Sequence, residues 1–306
     1  MLKGKVMRST GSWYEVLSEG ELVYQCRLKG KFKIKNLKTS NPIAVGDRVV
    51  FALEEDGYGT ISEIEPRQNY IMRKSVHKTA QAHILAANLD QSIIIVTLNM
   101  PRTSLGFLDR FLVTAESFRI PTTIVFNKID LLDDEEKEYL IDLASMYAEL
   151  GYPSLFTSAE EGIGIQDLQA ILERKTTLVS GHSGVGKSSL VNLLAPDLDL
   201  PTSEVSTFAN KGVHTTTFAT MFEIAPETFI IDTPGIKELG LIEMEREEIG
   251  HYFPEMRELL NKCRFHNCLH LNEPNCAVIE AVTNGEIAES RYTSYMSMME
   301  GDDNRR

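Results

Sequence analysis

Eight consecutive residues, Gly181-His182-Ser183-Gly184-Val185-Gly186-Lys187-Ser188, fit the pattern G-x-x-x-x-G-K-[ST]. Glycines at that spacing let backbone N–H groups converge on phosphate oxygens, and a helix opening at the lysine adds the positive end of its dipole. In this chemistry Lys187 reaches the β- and γ-phosphates as the charge-stabilising catalytic group. Ser188 ligates Mg²⁺, and Ser189 begins the helical segment that the motif opens. His182 contributes backbone, its side chain being incidental. Chance predicts about 0.01 such matches in a chain of this length, so an empty Gly-rich turn does not account for the motif.

A phosphate loop does not choose a base. Asn127-Lys128-Ile129-Asp130 does, because a carboxylate at Asp130 accepts from both N1 and N2 of guanine, and adenine has no such donor pair. Asn127 ties this segment to the phosphate loop, and the Lys128 stem covers the base. In Thr157-Ser158-Ala159 the backbone N–H groups of Ser158 and Ala159 meet guanine O6. Asp232-Thr233-Pro234-Gly235 senses Mg²⁺ through Asp232 and the γ-phosphate through the Gly235 N–H. Together these motifs make the ligand GTP.

Two further groups stand outside the nucleotide motifs. Cys263, Cys268, His270 and Cys276 are spaced C-x4-C-x-H-x5-C, three thiolates and an imidazole suited to one closed, tetrahedral structural Zn²⁺ site. His266 is the competing histidine, and Cys26 reads as a small core residue. Lys29, Lys31, Lys33 and Lys35 alternate with Gly30, Phe32 and Ile34, so in a strand they share one face, about 6.6–7 Å apart. That face suits an rRNA phosphate backbone, or else serves as a solvated edge that blocks strand pairing. Trp13, Tyr14 and Tyr24 supply aromatic faces, some for stacking on bases and some for a core.

These residues need elements to hold them. Short runs at Lys5–Arg8, Trp13–Val16, Leu22–Leu28, Val45–Phe51 and Gly59–Ile64, closed by Pro66, predict a five-stranded OB-fold barrel over residues 1–66. Continuous apolar runs at 92–96, 122–126, 154–156, 177–179 and 228–231 predict buried, mostly parallel strands. A helix carrying Leu140, Leu143, Ala144, Tyr147 and Leu150 lies between two of them, with Asp133–Glu136 at its N-terminus and Gly151 as its stop. Residues 67–240 therefore form an α/β domain, and residues 241–306 a mainly helical one around the Cys/His cluster.

The composition is globular: 306 residues, 42% hydrophobic and 25% charged. Met1-Leu2-Lys3-Gly4 opens no secretory segment, and no apolar run is long enough to span a bilayer, which points to a soluble cytoplasmic chain, expected to be a monomer. The net charge of −13 is unevenly spread: residues 1–80 carry 14 Lys+Arg against 9 Asp+Glu, +5, and the remainder balances at −18. A basic module on an acidic body is the reading.

The nucleotide motifs are those of Ras-like GTPases in a different order, since Asn127–Asp130 and Ser158 precede Gly181–Ser188. The strands keep their places in the sheet if the chain is circularly permuted. A permuted GTPase with a basic barrel before it and a Cys/His cluster after it resembles the bacterial ribosome small-subunit-dependent GTPase A family, and the resemblance covers essentially the whole chain. Gly212-Val213-His214-Thr215-Thr216-Thr217 is a further mark of it. The resemblance implies GTP hydrolysis stimulated by the 30S subunit, binding to 16S rRNA, and a part in late maturation of that subunit. Where Ras-like proteins carry the water-orienting Gln this chain has Ile236, which orients nothing. His214, beside the Mg²⁺-ligating threonines (Thr216 among them), is the internal alternative, or else contacts the partner. Permutation runs the segment after Gly235 directly into the C-terminal module, a route for nucleotide-dependent movement. Two rivals remain: a non-hydrolysing GTP-binding RNA scaffold, and a permuted GTPase with another ribosomal or tRNA target.

Overall fold

The computed structural model describes residues 1–29, 42–74, 82–198, 219–232 and 244–301. The first unit is a barrel of β1 (Leu2–Ser9), β2 (Tyr14–Ser18), β3 (Val23–Leu28), β4 (Arg48–Leu53) and β5 (Gly59–Ile64). It closes because β1 pairs with β2 along one edge and with β4 along the other. Alternation does the rest: Val6, Tyr14, Val16, Cys26, Val49, Phe51 and Ile61 point inward into one core. Asp47, wholly buried, is held by Arg67 at 2.7 Å.

A hairpin of β6 (Tyr70–Lys74) and β7 (Ala82–Ala87) follows, and nothing in the alternation of its residues predicted it. The central unit is built on β8 (Gln91–Val96), β9 (Thr122–Asn127), β10 (Ser154–Thr157), β11 (Thr176–Gly181), β12 (Thr220–Ala225) and β13 (Thr228–Asp232). Their order is β10-β9-β8-β11-β13-β12, parallel except for β12, which runs antiparallel to β13. Each apolar run is a strand because both faces are covered. Ile94, Val96, Ile124, Phe126, Leu178 and Ile231 face α1 (Leu105–Ser117) and α2 (Asp134–Glu149). Ile93, Ile95, Val125, Val179 and Ile230 face α3 (Ile165–Leu172) and α4 (Lys187–Leu194). Asp133 caps α2 and shares a capping box with Glu136, and Gly151 beyond its end takes φ +89°.

Barrel and central sheet are continuous. The end of β1 pairs antiparallel with β12 at Arg8 and Thr220, making an eleven-stranded sheet. Close by, the Lys5 ammonium lies 3.8 Å from the Phe229 ring centre.

The C-terminal unit has short helices: a 3₁₀ segment Arg246–Tyr252, α5 (Pro254–Arg257), α6 (Ala277–Thr283) and α7 (Glu289–Glu300). Its core takes in Val113 of α1 together with Phe253, Met256, Val278 and Tyr295. At this junction Arg291 of α7 is fully buried, 2.5 Å from Asp109 of α1 and 2.8 Å from Glu255 of α5. Burial opposes the guanidinium charge, but Asp109 and Glu255 outweigh it and hold its pKa above the ordinary arginine value.

Candidate functional site

The phosphate motif lies where the sequence puts it, between the end of β11 and the start of α4. Gly181 is the last residue of β11, and a Cβ there would stand 2.3 Å from the carbonyl oxygen of Ile95, so no larger residue fits. Gly186, at φ +94°, forms the N-terminal cap of α4, with a Cβ excluded by the Asn127 amide at 2.3 Å. Leu190 and Val191 anchor α4 in the core, which fixes the direction of its dipole at the loop. Lys187 is 9% exposed and its ammonium donates to the carbonyls of Gly181 (2.6 Å) and His182 (2.7 Å). A cation is therefore already held inside the loop. Ser188 is buried at the first turn of α4.

The base-reading segment meets this loop from the neighbouring strands. Asn127 ends β9, is 4% exposed, and donates from Nδ2 to the carbonyl oxygen of Val185 at 2.8 Å. Its Oδ1 accepts from Thr157 Oγ1 at 2.9 Å, so both ends of the amide are committed. Lys128 is left-handed (φ 64°), and its stem passes Gly186 to donate to the carbonyl oxygen of Met100 at 2.8 Å. Asp130 sits in a 3₁₀ turn, Ile129–Leu131, at the same edge. Ser158 is buried and its N–H donates to Ile163 O, which leaves Ala159 N–H as the uncommitted backbone donor of that pair among the described residues. Asp232 ends β13 in register with Val179 of β11, one strand over from the loop.

His214, Thr216, Gly235, Ile236, Lys31, Lys33 and Lys35 lie outside the described residues, as does the segment running from Gly235 into the C-terminal unit. Lys29 is exposed just beyond β3.

Three features were not legible in the sequence. The Thr157 hydroxyl clamps Asn127; its one signal is a polar residue ending an apolar run. Phe107 of α1 lies against the His182 ring, centroids 3.8 Å apart, so that side chain is packed. Pro101 stands 3.4 Å from where a Gly184 Cβ would be, bringing the loop after β8 onto the phosphate loop.

Cys263, Cys268, His270 and Cys276 converge, their ligand atoms all within 4.8 Å of one another. Cys263 Sγ is 4.0 Å from Cys276 Sγ, and His270 Nδ1 is 3.5 and 3.3 Å from those sulfurs. A tetrahedral Zn²⁺ with bonds of 2.0–2.3 Å needs ligand-to-ligand edges of about 3.6–3.8 Å, so the set fits such an ion. Burial lowers the His270 pKa, which favours the neutral imidazole a metal needs. The loop is fixed from outside: Tyr292 and Tyr295 donate to the carbonyls of His270 and Leu269, and Glu273 accepts from the N–H groups of Leu269, Leu271 and Asn272. His266 is exposed and outside the cluster.

On the barrel, Tyr14 is core and Tyr24 packs on Phe51. Trp13 is exposed and pairs with Tyr58, ring centroids 4.9 Å apart, on the outer surface.

The profile of the RsgA GTPase family matches residues 64–242, and that of the RsgA N-terminal domain residues 3–61. The chain belongs to the RsgA GTPase family. RsgA-family relatives of similar length include the small ribosomal subunit biogenesis GTPase RsgA of Bacteroides fragilis strain YCH46, 50% identical over 299 residues, covering 98% of this chain and 96% of the relative. The protein of that name from Cytophaga hutchinsonii is 50% identical over 307 residues, all of both chains. Among solved RsgA-like structures, YjeQ from Thermotoga maritima superposes with a TM-score of 0.79 at 37% identity, covering 100% of this chain and 99% of that one. YloQ, described as a circularly permuted GTPase, gives 0.74 at 32%, covering 100% and 96%. The RsgA architecture of barrel, permuted GTPase and helical C-terminal unit is the one seen here. Among the described residues no helix is long and apolar enough to cross a membrane.

Proposed function

We propose that this chain is a GTPase that binds the small ribosomal subunit and assists its late maturation, hydrolysing GTP to GDP and phosphate with stimulation by the subunit. What supports the reading is 50% identity along the whole chain to proteins named small ribosomal subunit biogenesis GTPase and, for the nucleotide, the 2.8 Å bond from Asn127 to Val185, which ties the guanine-reading segment to the phosphate-binding one despite their permuted order. Asp130 reads guanine N1 and N2, Ala159 N–H reads O6, and Lys128 lies along the base. The loop Gly181–Ser189 cradles the phosphates, with Lys187 moving from its carbonyl partners onto β- and γ-oxygens. Ser188, Asp232 and Thr216 would hold Mg²⁺, which would neutralise charge at the phosphates, and Gly235 would meet the γ-phosphate. His214 orients the attacking water or contacts the subunit.

Zn²⁺ is the ion we assign to Cys263, Cys268, His270 and Cys276. With four protein ligands it has no open position, so its work is structural. The lysines from Lys29 to Lys35 and the Trp13–Tyr58 pair meet rRNA, as phosphate contacts and a stacking surface respectively. Barrel, GTPase and zinc domains span 1–66, 67–240 and 241–306, and the protein acts in the cytoplasm as a monomer.

Ile236, in place of a water-orienting Gln, supports a second reading: a GTP-binding scaffold with negligible turnover. GTP turnover measured alone, with purified 30S and with 50S subunits separates the readings. Stimulation by 30S alone is expected. Stimulation by 50S alone moves the target, and no turnover with either favours the scaffold.

A further inference from the structure

Helix α1 has two committed faces. Phe107, in its first turn, lies against the His182 ring at 3.8 Å between centroids and 32° between planes. The carbonyl of that same His182, with that of Gly181, holds the Lys187 ammonium. His182 therefore joins two contacts within the phosphate loop: its carbonyl holds Lys187 before nucleotide arrives, and its ring packs on Phe107. Residues two apart on a helix are about 200° apart around it, so Asp109 faces the other way. There Asp109 meets Arg291 of α7 at 2.5 Å and Tyr147 of α2 at 2.7 Å. The guanidinium is also held by Glu255 at 2.8 Å and lies 4.6 Å from the Phe253 ring centre.

This junction is poorly explained as a source of stability. Burying an ion pair costs as much as its attraction returns, and apolar residues of equal size commonly do better. Asp109 also leaves Oδ2 buried without a hydrogen-bond partner among the described residues. What the pair does supply is one fixed seating of the C-terminal unit on α1, since a buried arginine with two carboxylates tolerates no sliding.

We infer that α1 is the part through which the C-terminal unit sets the phosphate loop: Phe107 is a positioning residue for nucleotide binding, acting through His182, and the Asp109–Arg291–Glu255 junction makes that positioning depend on how the C-terminal unit is seated. The inference rests on reading Gly181–Ser188 as the phosphate loop. It offers a connection that does not run through residues 233–243, where the chain itself joins the two units.

The test uses the full-length protein and fluorescent GDP. Phe107→Leu keeps the apolar bulk but removes the flat ring, and should raise the GDP Kd about two- to tenfold, the range for losing one aromatic contact. Phe107→Tyr keeps the ring and should restore native affinity. Neutralising the junction with D109N, E255Q and R291Q should raise Kd to a similar extent, and adding Phe107→Leu to that variant should add little. Multiplying effects, or an unchanged Kd in Phe107→Leu, overturn the inference. A measurement on the native protein stands apart from any folding defect: by reciprocity, bound nucleotide should slow amide exchange in α7, Glu289–Glu300, and should cease to do so in Phe107→Leu. Unchanged exchange in the native protein overturns it too. Lys187→Ala keeps the two readings distinguishable, because nucleotide binding that survives that change defeats the phosphate-loop assignment itself.

Discussion

Thr157→Val removes one hydroxyl and almost nothing else. Valine keeps the branched shape and the strand preference, so β10 and its packing persist. What is lost is the 2.9 Å bond to Asn127 Oδ1. Thr157 is fully buried and Asn127 4% exposed, so water cannot replace the donor. Leaving a buried acceptor unmade costs about 1–3 kcal/mol. The amide is then free to rotate, and its other bond, to Val185, loses its enforced direction. We expect unfolding free energy to fall by about 1–2 kcal/mol in urea titration. If the cost falls wholly on the geometry that holds the nucleotide, GDP Kd rises by roughly 5- to 30-fold. A variant as stable as the native protein, or one with Kd within twofold of it, would refute the claim that Thr157 aligns Asn127.

Three other outcomes follow from the same contacts. Arg291→Ala strands Asp109 and Glu255 in the interior and should cost about 3–5 kcal/mol by chemical denaturation; a loss under 1 kcal/mol would mean that water reaches the junction. Cys276→Ser should empty the metal site, read by metal analysis of the purified protein, whereas His266→Ala should leave metal content unchanged. Glu273 supplies a pH signature: burial would raise its carboxyl, but the N–H groups of Leu269, Leu271 and Asn272 outweigh that and hold it below the ordinary 4.5. The unfolded chain then takes up the proton first, so the stabilisation is complete above that value and fades as pH falls through the folded one. Glu273→Gln should therefore be less stable than the native protein at about pH 6, with the gap closing towards pH 3.5 in thermal melts.

Legibility in the sequence followed how strongly each element is constrained locally. The runs 92–96 and 122–126 were readable because strands buried on both faces admit little but apolar residues. Gly181–Ser188 was readable because backbone crowding at Gly181 and Gly186 leaves no alternative residue. Strand β12, Thr220–Ala225, has no such signal in the sequence, since its mixed Thr-Met-Phe-Glu-Ile-Ala run is mostly half-buried or exposed. The choice of His270 over His266 needed the fold, because both lie at plausible spacing and only a left-handed turn at His270 (φ 57°) aims it at the sulfurs. Phe107 against His182 and Arg291 against Asp109 join segments far apart in the chain, and no local pattern encodes such pairs.

The single β1–β12 pairing has a consequence for dissecting the molecule. Strand β12 is the last of the central sheet, and Arg8 at the end of β1 meets it at Thr220. Deleting the barrel would remove the one ladder pairing on that edge of β12, at Thr220, and strip the Phe229 ring on the next strand of its Lys5 cover. Self-association of a GTPase unit produced without residues 1–66 would thus have to be read against a lost edge pairing and a bared aromatic ring that the intact chain keeps covered.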